Sequence, residues 1–184
     1  MAYEEFRKKI VGLQTDLSHF KVEFFDRDSF KAFADNLFYD LRSYPDICIT
    51  GYFSETVRET LEKLARPKDN HRLRLICQEL RENDTRDKKN LQVLRKLVEQ
   101  GVEIKTNNRL HARILVATFP LISQMQGLLV VGSFDFNTEC IGRERYDAGV
   151  KTSHPDLVNS AKELFEKIWN DPDSLPLNEK YLKK

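Results

Sequence analysis

His111 and Arg113 stand two residues apart in the run Leu110-His111-Ala112-Arg113-Ile114-Leu115-Val116. In an extended strand that spacing puts both side chains on one face. An imidazole beside a fixed cation suits phosphoryl chemistry: the ring can act as nucleophile or base, and the guanidinium can neutralise charge on phosphate oxygens. Downstream, Leu128-Leu129-Val130-Val131 runs into Gly132-Ser133 and then Phe134-Asp135-Phe136. A glycine there permits close backbone approach, and a serine hydroxyl can bond an oxyanion. Taken alone, either segment reads equally well as an ordinary strand with polar residues. Together they can converge on one phosphate.

The elements that must position these residues follow from hydrophobic spacing. Tyr3, Phe6, Ile10, Leu13 and Leu17 recur at helical steps, which predicts a helix over residues 1–19 packed on the domain edge or on a partner. Phe20 to Phe25 reads as a strand, and Phe30, Phe33, Leu37, Phe38 and Leu41 as an amphipathic helix stopped before Pro45. Ile47-Cys48-Ile49-Thr50 is a continuous apolar run of the kind buried on both faces. Ser54 can cap a helix carrying Val57, Leu61 and Leu64. His71 to Cys77 is the next strand; a helix with Leu91, Leu94, Leu97 and Val98 then ends at Gly101. Val102 to Thr106, the His111 segment, Leu128 to Gly132 and Tyr146 to Lys151 are further strands, and Phe119 to Gly127 reads as a hairpin tip. Ser153-His154-Pro155-Asp156 has capping-box form before a helix running to Trp169. Residues 171–184 read as a polar, loosely held tail. Strands alternating with helices, then clustered strands and a closing helix, indicate an α/β fold: a mixed sheet flanked by helices on both faces, with residues 20–170 as one domain.

Bulk properties narrow the function. A chain of 184 residues, 40% hydrophobic and 32% charged, fits one globular domain with a proper core. The formal net charge of +1 supplies no global attraction to nucleic acid, so binding of that kind requires a local patch. Lys105 with Arg109, and Arg143 with Arg145, are basic pairs able to follow a phosphodiester backbone, whereas Arg81, Arg86, Lys88 and Lys89 are interleaved with acids and read as a solvated face. No run approaches a membrane span, and the start of the chain lacks a secretory pattern. Cys48, Cys77 and Cys140 are odd in number and unrelated in spacing; Cys48 and Cys77 sit in apolar runs and read as buried thiols, and the setting as reducing and cytoplasmic. His19, His71, His111 and His154 show no metal-ligand spacing, so neither a metal nor another cofactor is expected.

From about Val22 to Trp169 the chain resembles the phospholipase D superfamily, whose signature is H-x-K-x-x-x-x-D followed downstream by G-S-x-N; here the motifs read H-A-R at 111–113 and G-S-F-D at 132–135. The resemblance implies the α-β-α sandwich of that family. It implies His111 as the nucleophile that attacks phosphorus and Ser133 as a phosphate-binding hydroxyl, and it makes Asp147 similar to the acid that orients the histidine. Arg113 stands where the family has lysine; its planar, always-charged fork can grip phosphate but is no simple substitute for an ammonium. Asp135 stands where the family has asparagine, and an ionised carboxylate accepts hydrogen bonds and repels the anion. It could be protonated, pair with Arg113 or face away, and Asn137 would supply the missing amide if the strand continues. Thr118 replaces the signature aspartate.

The resemblance further implies metal-independent phosphodiester hydrolysis through a phosphohistidine. One motif per chain implies a homodimer, since the reaction needs two histidines. DNA or RNA is the expected substrate class, ahead of a lipid headgroup. The competing expectation is a module with the same fold that binds phosphate or nucleic acid, or dimerises, within a larger nuclease, helicase or regulatory assembly, its catalysis lost through Arg113 and Asp135.

Overall fold

The computed structural model describes residues 22–26, 41–53, 58–65, 72–80, 84–119, 127–133 and 148–177. The helix expected over residues 1–19, most of the helix ending at Leu41, and the tip of the 119–127 connection lie outside them. In chain order the elements are β1 (Val22–Asp26), β2 (Asp46–Gly51), α1 (Arg58–Ala65), β3 (Arg72–Gln78), α2 (Thr85–Glu99), β4 (Glu103–Asn107), β5 (Ile114–Thr118), β6 (Gly127–Gly132), β7 (Ala148–Thr152), α3 (Pro155–Trp169) and β8 (Leu175–Pro176). They form one eight-stranded sheet in the order β1-β7-β6-β5-β2-β3-β4-β8. β2, β3 and β4 are parallel neighbours, joined by α1 and α2 as crossovers. The remaining pairs are antiparallel.

Alternation along the central strands sends side chains into two cores. Ile47, Ile49, Leu73, Leu75, Cys77, Leu115, Ala117 and Val130 pack with Leu61 and Leu64 of α1 and Val93, Leu94 and Leu97 of α2. Cys48, Ile76, Ile114, Val116 and Leu129 face the other way, against Val158, Ala161, Phe165 and Trp169 of α3. The mixed sheet covered by helices on both faces is therefore as expected, and the unbroken apolar run of β2 belongs to a central strand buried twice. Gly101, at φ +88°, ends α2 in the left-handed conformation that a side chain would disfavour.

Three local expectations fail for physical reasons. The chain from 171 onward is not a loose tail at its start: Leu175–Pro176 pairs with β4, Ser174 and Leu177 are buried, and the Asn107 amide donates to the Ser174 hydroxyl at 2.8 Å. A buried leucine, a buried serine and a short strand pairing dock a segment whose composition is polar. The N-cap of α3 is His154, not Ser153, and it makes no side-chain capping bond; Pro155 starts the helix and Asp156 supplies the acidic first turn. The basic pair Lys105 and Arg109 is engaged internally. The Lys105 ammonium donates to the Trp169 carbonyl at 2.7 Å and lies over its ring, while Arg109 pairs with Asp171 and Asp173.

What ties α3 to the sheet is a charged cluster set in the apolar core. Arg74 of β3, 3% exposed, donates to Glu166 at 2.6 Å and more loosely to Asp46 at 3.4 Å. Lys162 pairs with Asp46 and, one turn along its own helix, with Glu166 at 3.1 Å. The guanidinium also lies over the Phe165 and Trp169 rings, at 5.2 and 5.5 Å from their centroids. Burial works against the Arg74 charge, but the Glu166 hydrogen bond and the nearby carboxylates outweigh it and hold the guanidinium above its usual range. The Arg74 hydrogen bond holds the Glu166 carboxyl down at about 2. Cys48 touches both cations, yet burial and then Asp46 push its thiol up to about 11; burial alone is the main cause that pushes Cys77 up to about 12. Both thiols are buried and free, as the sequence suggested for them.

Two outcomes follow. A Cβ at Gly127 would meet Val158 Cγ1 at 2.5 Å and the Ala117 carbonyl oxygen at 2.8 Å, so Gly127→Ala should lose about 1–3 kcal/mol in urea unfolding as α3 is pushed off β6. Because the folded Glu166 pKa lies below its ordinary value of 4.5, its contribution to stability is full above that value and is lost as pH falls through about 2. Urea midpoints measured between those pH values should fall more steeply for the wild type than for Glu166→Gln.

Candidate functional site

The carboxyl ends of β2, β3 and β4 point the same way, as parallel pairing requires, and the antiparallel neighbours bring other ends to the same rim. There the chain enters β5, leaves β6 and enters β7. Ligand sites in open α/β sheets form at this rim. His111 and Arg113 lie on the approach to β5, whose first paired residue is Ile114 opposite Thr50 of β2 and Val131 of β6. The strand is thus shorter than its apolar pattern, and strand alternation is not what aims the two side chains.

A hydroxyl fixes them instead. Thr50, fully buried at the end of β2, donates to the Ala112 carbonyl at 2.9 Å and accepts from the Ile114 amide at 3.0 Å. This pair of bonds clamps the backbone on either side of Arg113. The Arg113 carbonyl accepts from the Gly132 amide at 3.4 Å, which seats the end of β6 beside it. Its guanidinium donates to the His111 carbonyl at 3.0 Å, folding the side chain back along its own segment. His111 is exposed, and among the described residues no polar group bonds its imidazole. Ser133 is exposed at the next step of β6; its amide donates to the Ala148 carbonyl at 3.1 Å and its Oγ accepts from the Ala148 amide at 3.2 Å.

The backbone therefore brings His111, Arg113, Gly132 and Ser133 to one rim, with Ala148 (the residue after Asp147) bonded directly to Ser133. Asp147, Asp135, Asn137, Arg143 and Arg145 lie outside the described residues. Thr118 is buried at the far end of β5, so the departure there is remote from the rim. Close by, the Tyr52 hydroxyl donates to Asp87 at 3.1 Å and accepts from the buried Asn90 amide, fixing the turn after β2 to the start of α2. Among the described residues no cluster of His, Cys, Asp or Glu is placed to hold a metal ion, and no helix is long and apolar enough to cross a membrane.

The family model for the cardiolipin synthase, PLD-like domain, matches residues 42–169, which contain both motifs and all of this rim. The chain belongs to the phospholipase D-like family. Solved structures agree in fold. A phospholipase D family member, Nuc from Salmonella typhimurium, superimposes with a TM-score of 0.60 at 13% identity over 86% of this chain and 98% of Nuc. Polyphosphate kinase from Porphyromonas gingivalis gives a TM-score of 0.66 at 17% identity, over 83% of this chain and 26% of the kinase. TrmBL2, an archaeal chromatin protein, gives 0.52 at 12% identity, over 91% of this chain and 61% of TrmBL2. The phospholipase D-like chain thus spans nearly all of Nuc but only one portion of the kinase. No curated protein matches its sequence.

Sequence reasoning passed over Thr50, reading it as the last residue of a buried strand. The usable signal was a hydroxyl ending an apolar run just before Gly51, where a buried polar group must find partners. Thr50→Val should therefore lose about 1–3 kcal/mol in urea unfolding, because the buried Ile114 amide is left unbonded, while Thr50→Ser should keep most of that stability.

Proposed function

We propose that this phospholipase D-like chain is a phosphodiesterase that cleaves nucleic acid, with His111 as nucleophile and two copies joined so that their rims face each other. The observation that carries the reading is the exposed His111 imidazole beside Arg113 on a backbone clamped to Thr50 and Gly132, inside a domain of this family. In the proposed reaction a ring nitrogen of His111 attacks phosphorus and the bond to the leaving oxygen breaks. The second copy's histidine protonates that oxygen. Water then attacks phosphorus and gives its proton back to the second copy's histidine, the P–N bond breaks, and both histidines are regenerated. Arg113 and the Ser133 hydroxyl hold the non-bridging oxygens, which requires Arg113 to swing away from the His111 carbonyl and Ser133 to turn from Ala148. Asp147 orients the imidazole, and Asn137 together with Asp135 in its protonated form donates to the phosphate oxygens. Histidine supplies the nucleophile and fixed cations hold the charge, so no metal takes part in the scheme.

A second reading has its own support. Asp135 places a carboxylate where the family has an amide, and the fold is shared with TrmBL2, whose structure is described as showing a novel mode of DNA binding. On this reading the rim binds phosphate or nucleic acid without cleaving it, within a larger assembly.

Cleavage of labelled DNA and RNA in the presence of chelator separates the two. Wild type should cut, and His111→Ala should fall by on the order of 10³-fold or more. A denaturing quench at alkaline pH during turnover should trap the phosphoryl end of the cut strand on His111, since the P–N bond survives in base and is lost in acid. Equal residual cleavage in both proteins overturns the nuclease reading, and retention of oligonucleotide with no covalent adduct establishes the binding module. Headgroup release from phospholipid vesicles would move the substrate to lipid.

A further inference from the structure

Among the described residues, the α3 side of the sheet is covered only in part. α3 packs on β2, β5 and β6, and beyond it β7 and β1 continue the same face. Phe24 of β1 pairs with Val150 of β7, and Val150 pairs with Val131 of β6, so directly opposed residues set three apolar side chains in a row on one face. Val131 in turn pairs with Ile114, which belongs to the core beneath α3, and this fixes the face on which the row lies. Phe24 is 71% exposed, Val131 43% and Val150 37%; Val22, two residues before Phe24 on the same side, is 45% exposed. Phe25 points the opposite way into the core with α1 and α2, and Leu41, which ends the segment leading out of β1, is buried in that same core.

We infer that the segment of residues 3–17 docks as an amphipathic helix on this row, beside α3. The segment lies outside the described residues, and its sequence carries Tyr3, Phe6, Ile10, Leu13 and Leu17 at alternating steps of three and four, a single apolar stripe. It joins the patch directly: Leu17 is five residues from Val22, a tether reaching at most about 17 Å, and β1 itself bears Phe24. As a helix the segment would be about 22 Å long, enough to run the length of a five-residue strand, and two strand spacings make the row about 10 Å across, one helix wide. A covalently tethered partner of matching width occupies the face ahead of any free one, because its effective concentration is high at every protein concentration. The docked helix would complete the second layer over the outer strands, as α3 does over the central ones.

Amide hydrogen exchange on the full chain tests this, read together with molar mass from light scattering, in wild type, Leu13→Asp and Phe24→Asp. Residues 3–17 should be protected in wild type and exchange at least about tenfold faster in Phe24→Asp, and β1 should exchange correspondingly faster in Leu13→Asp, at unchanged molar mass. Full exchange of residues 3–17 at the rate of an unstructured peptide in wild type overturns the inference. So does a fall in molar mass in Phe24→Asp with exchange of residues 3–17 unaltered, which would assign the row to a second copy. Should Phe24→Asp not fold, Leu13→Asp decides alone: β1 exchange unchanged in that variant also overturns the inference.

Discussion

A sheet whose central strands are apolar on both sides stays folded only if both sides are shielded from water, and over β5 and β6 one side is covered, among the described residues, by a single helix. The two motifs of the candidate rim adjoin those two strands. α3 reaches them through close apolar packing, including the approach of Val158 over Gly127, and through the Arg74–Glu166–Lys162–Asp46 cluster. The charges are balanced two against two, and the Arg74 Nη groups and the Lys162 ammonium donate to named acceptors, which helps ions remain in a low-dielectric core; the buried Arg74 Nε alone in this cluster has no partner. Such a cluster adds direction more than net stability. Apolar contacts would tolerate α3 sliding along the sheet, whereas a guanidinium seated between two carboxylates and against two rings does not.

At the rim the same logic operates on a smaller scale. One buried hydroxyl, Thr50, satisfies both a carbonyl and an amide that the shortened β5 leaves over, and in doing so sets the backbone that bears His111 and Arg113. The rim's polar groups are at present bonded to the protein itself: Arg113 to a carbonyl, Ser133 to the Ala148 backbone.

Much of this was legible in the sequence. The strands from β2 to β7 and the helix α3 follow from apolar runs and helical spacing, and the two motifs lie at the rim to which the topology brings them. The misses have a common cause, which is that they depend on partners distant in the chain. Arg74 reads as the polar member of an alternating strand, and only its meeting with Glu166 shows it to be buried; the Lys162–Glu166 spacing of four was visible, but Asp46 read merely as a residue after a helix-stopping proline. Lys105 and Arg109 looked available for a polyanion because the carbonyl and carboxylates they meet lie more than sixty positions away in the chain. The length of β5 was overread because Leu110 is apolar and buried without being part of the ladder.

The two borders of the sheet are unlike. On one side β4 is met by a strand of only two residues, the second of which is Pro176, which has no amide hydrogen to offer a further neighbour. That border is closed to lateral growth by chemistry and by brevity alike. On the other, β1 is a five-residue strand whose inner partner is β7 and beyond which the described sheet has no strand. If chains of this protein ever associate by edge-on strand pairing, the ribbon can be extended only through the β1 border, so pairing would stop at two molecules set head to head and could not propagate into a fibre.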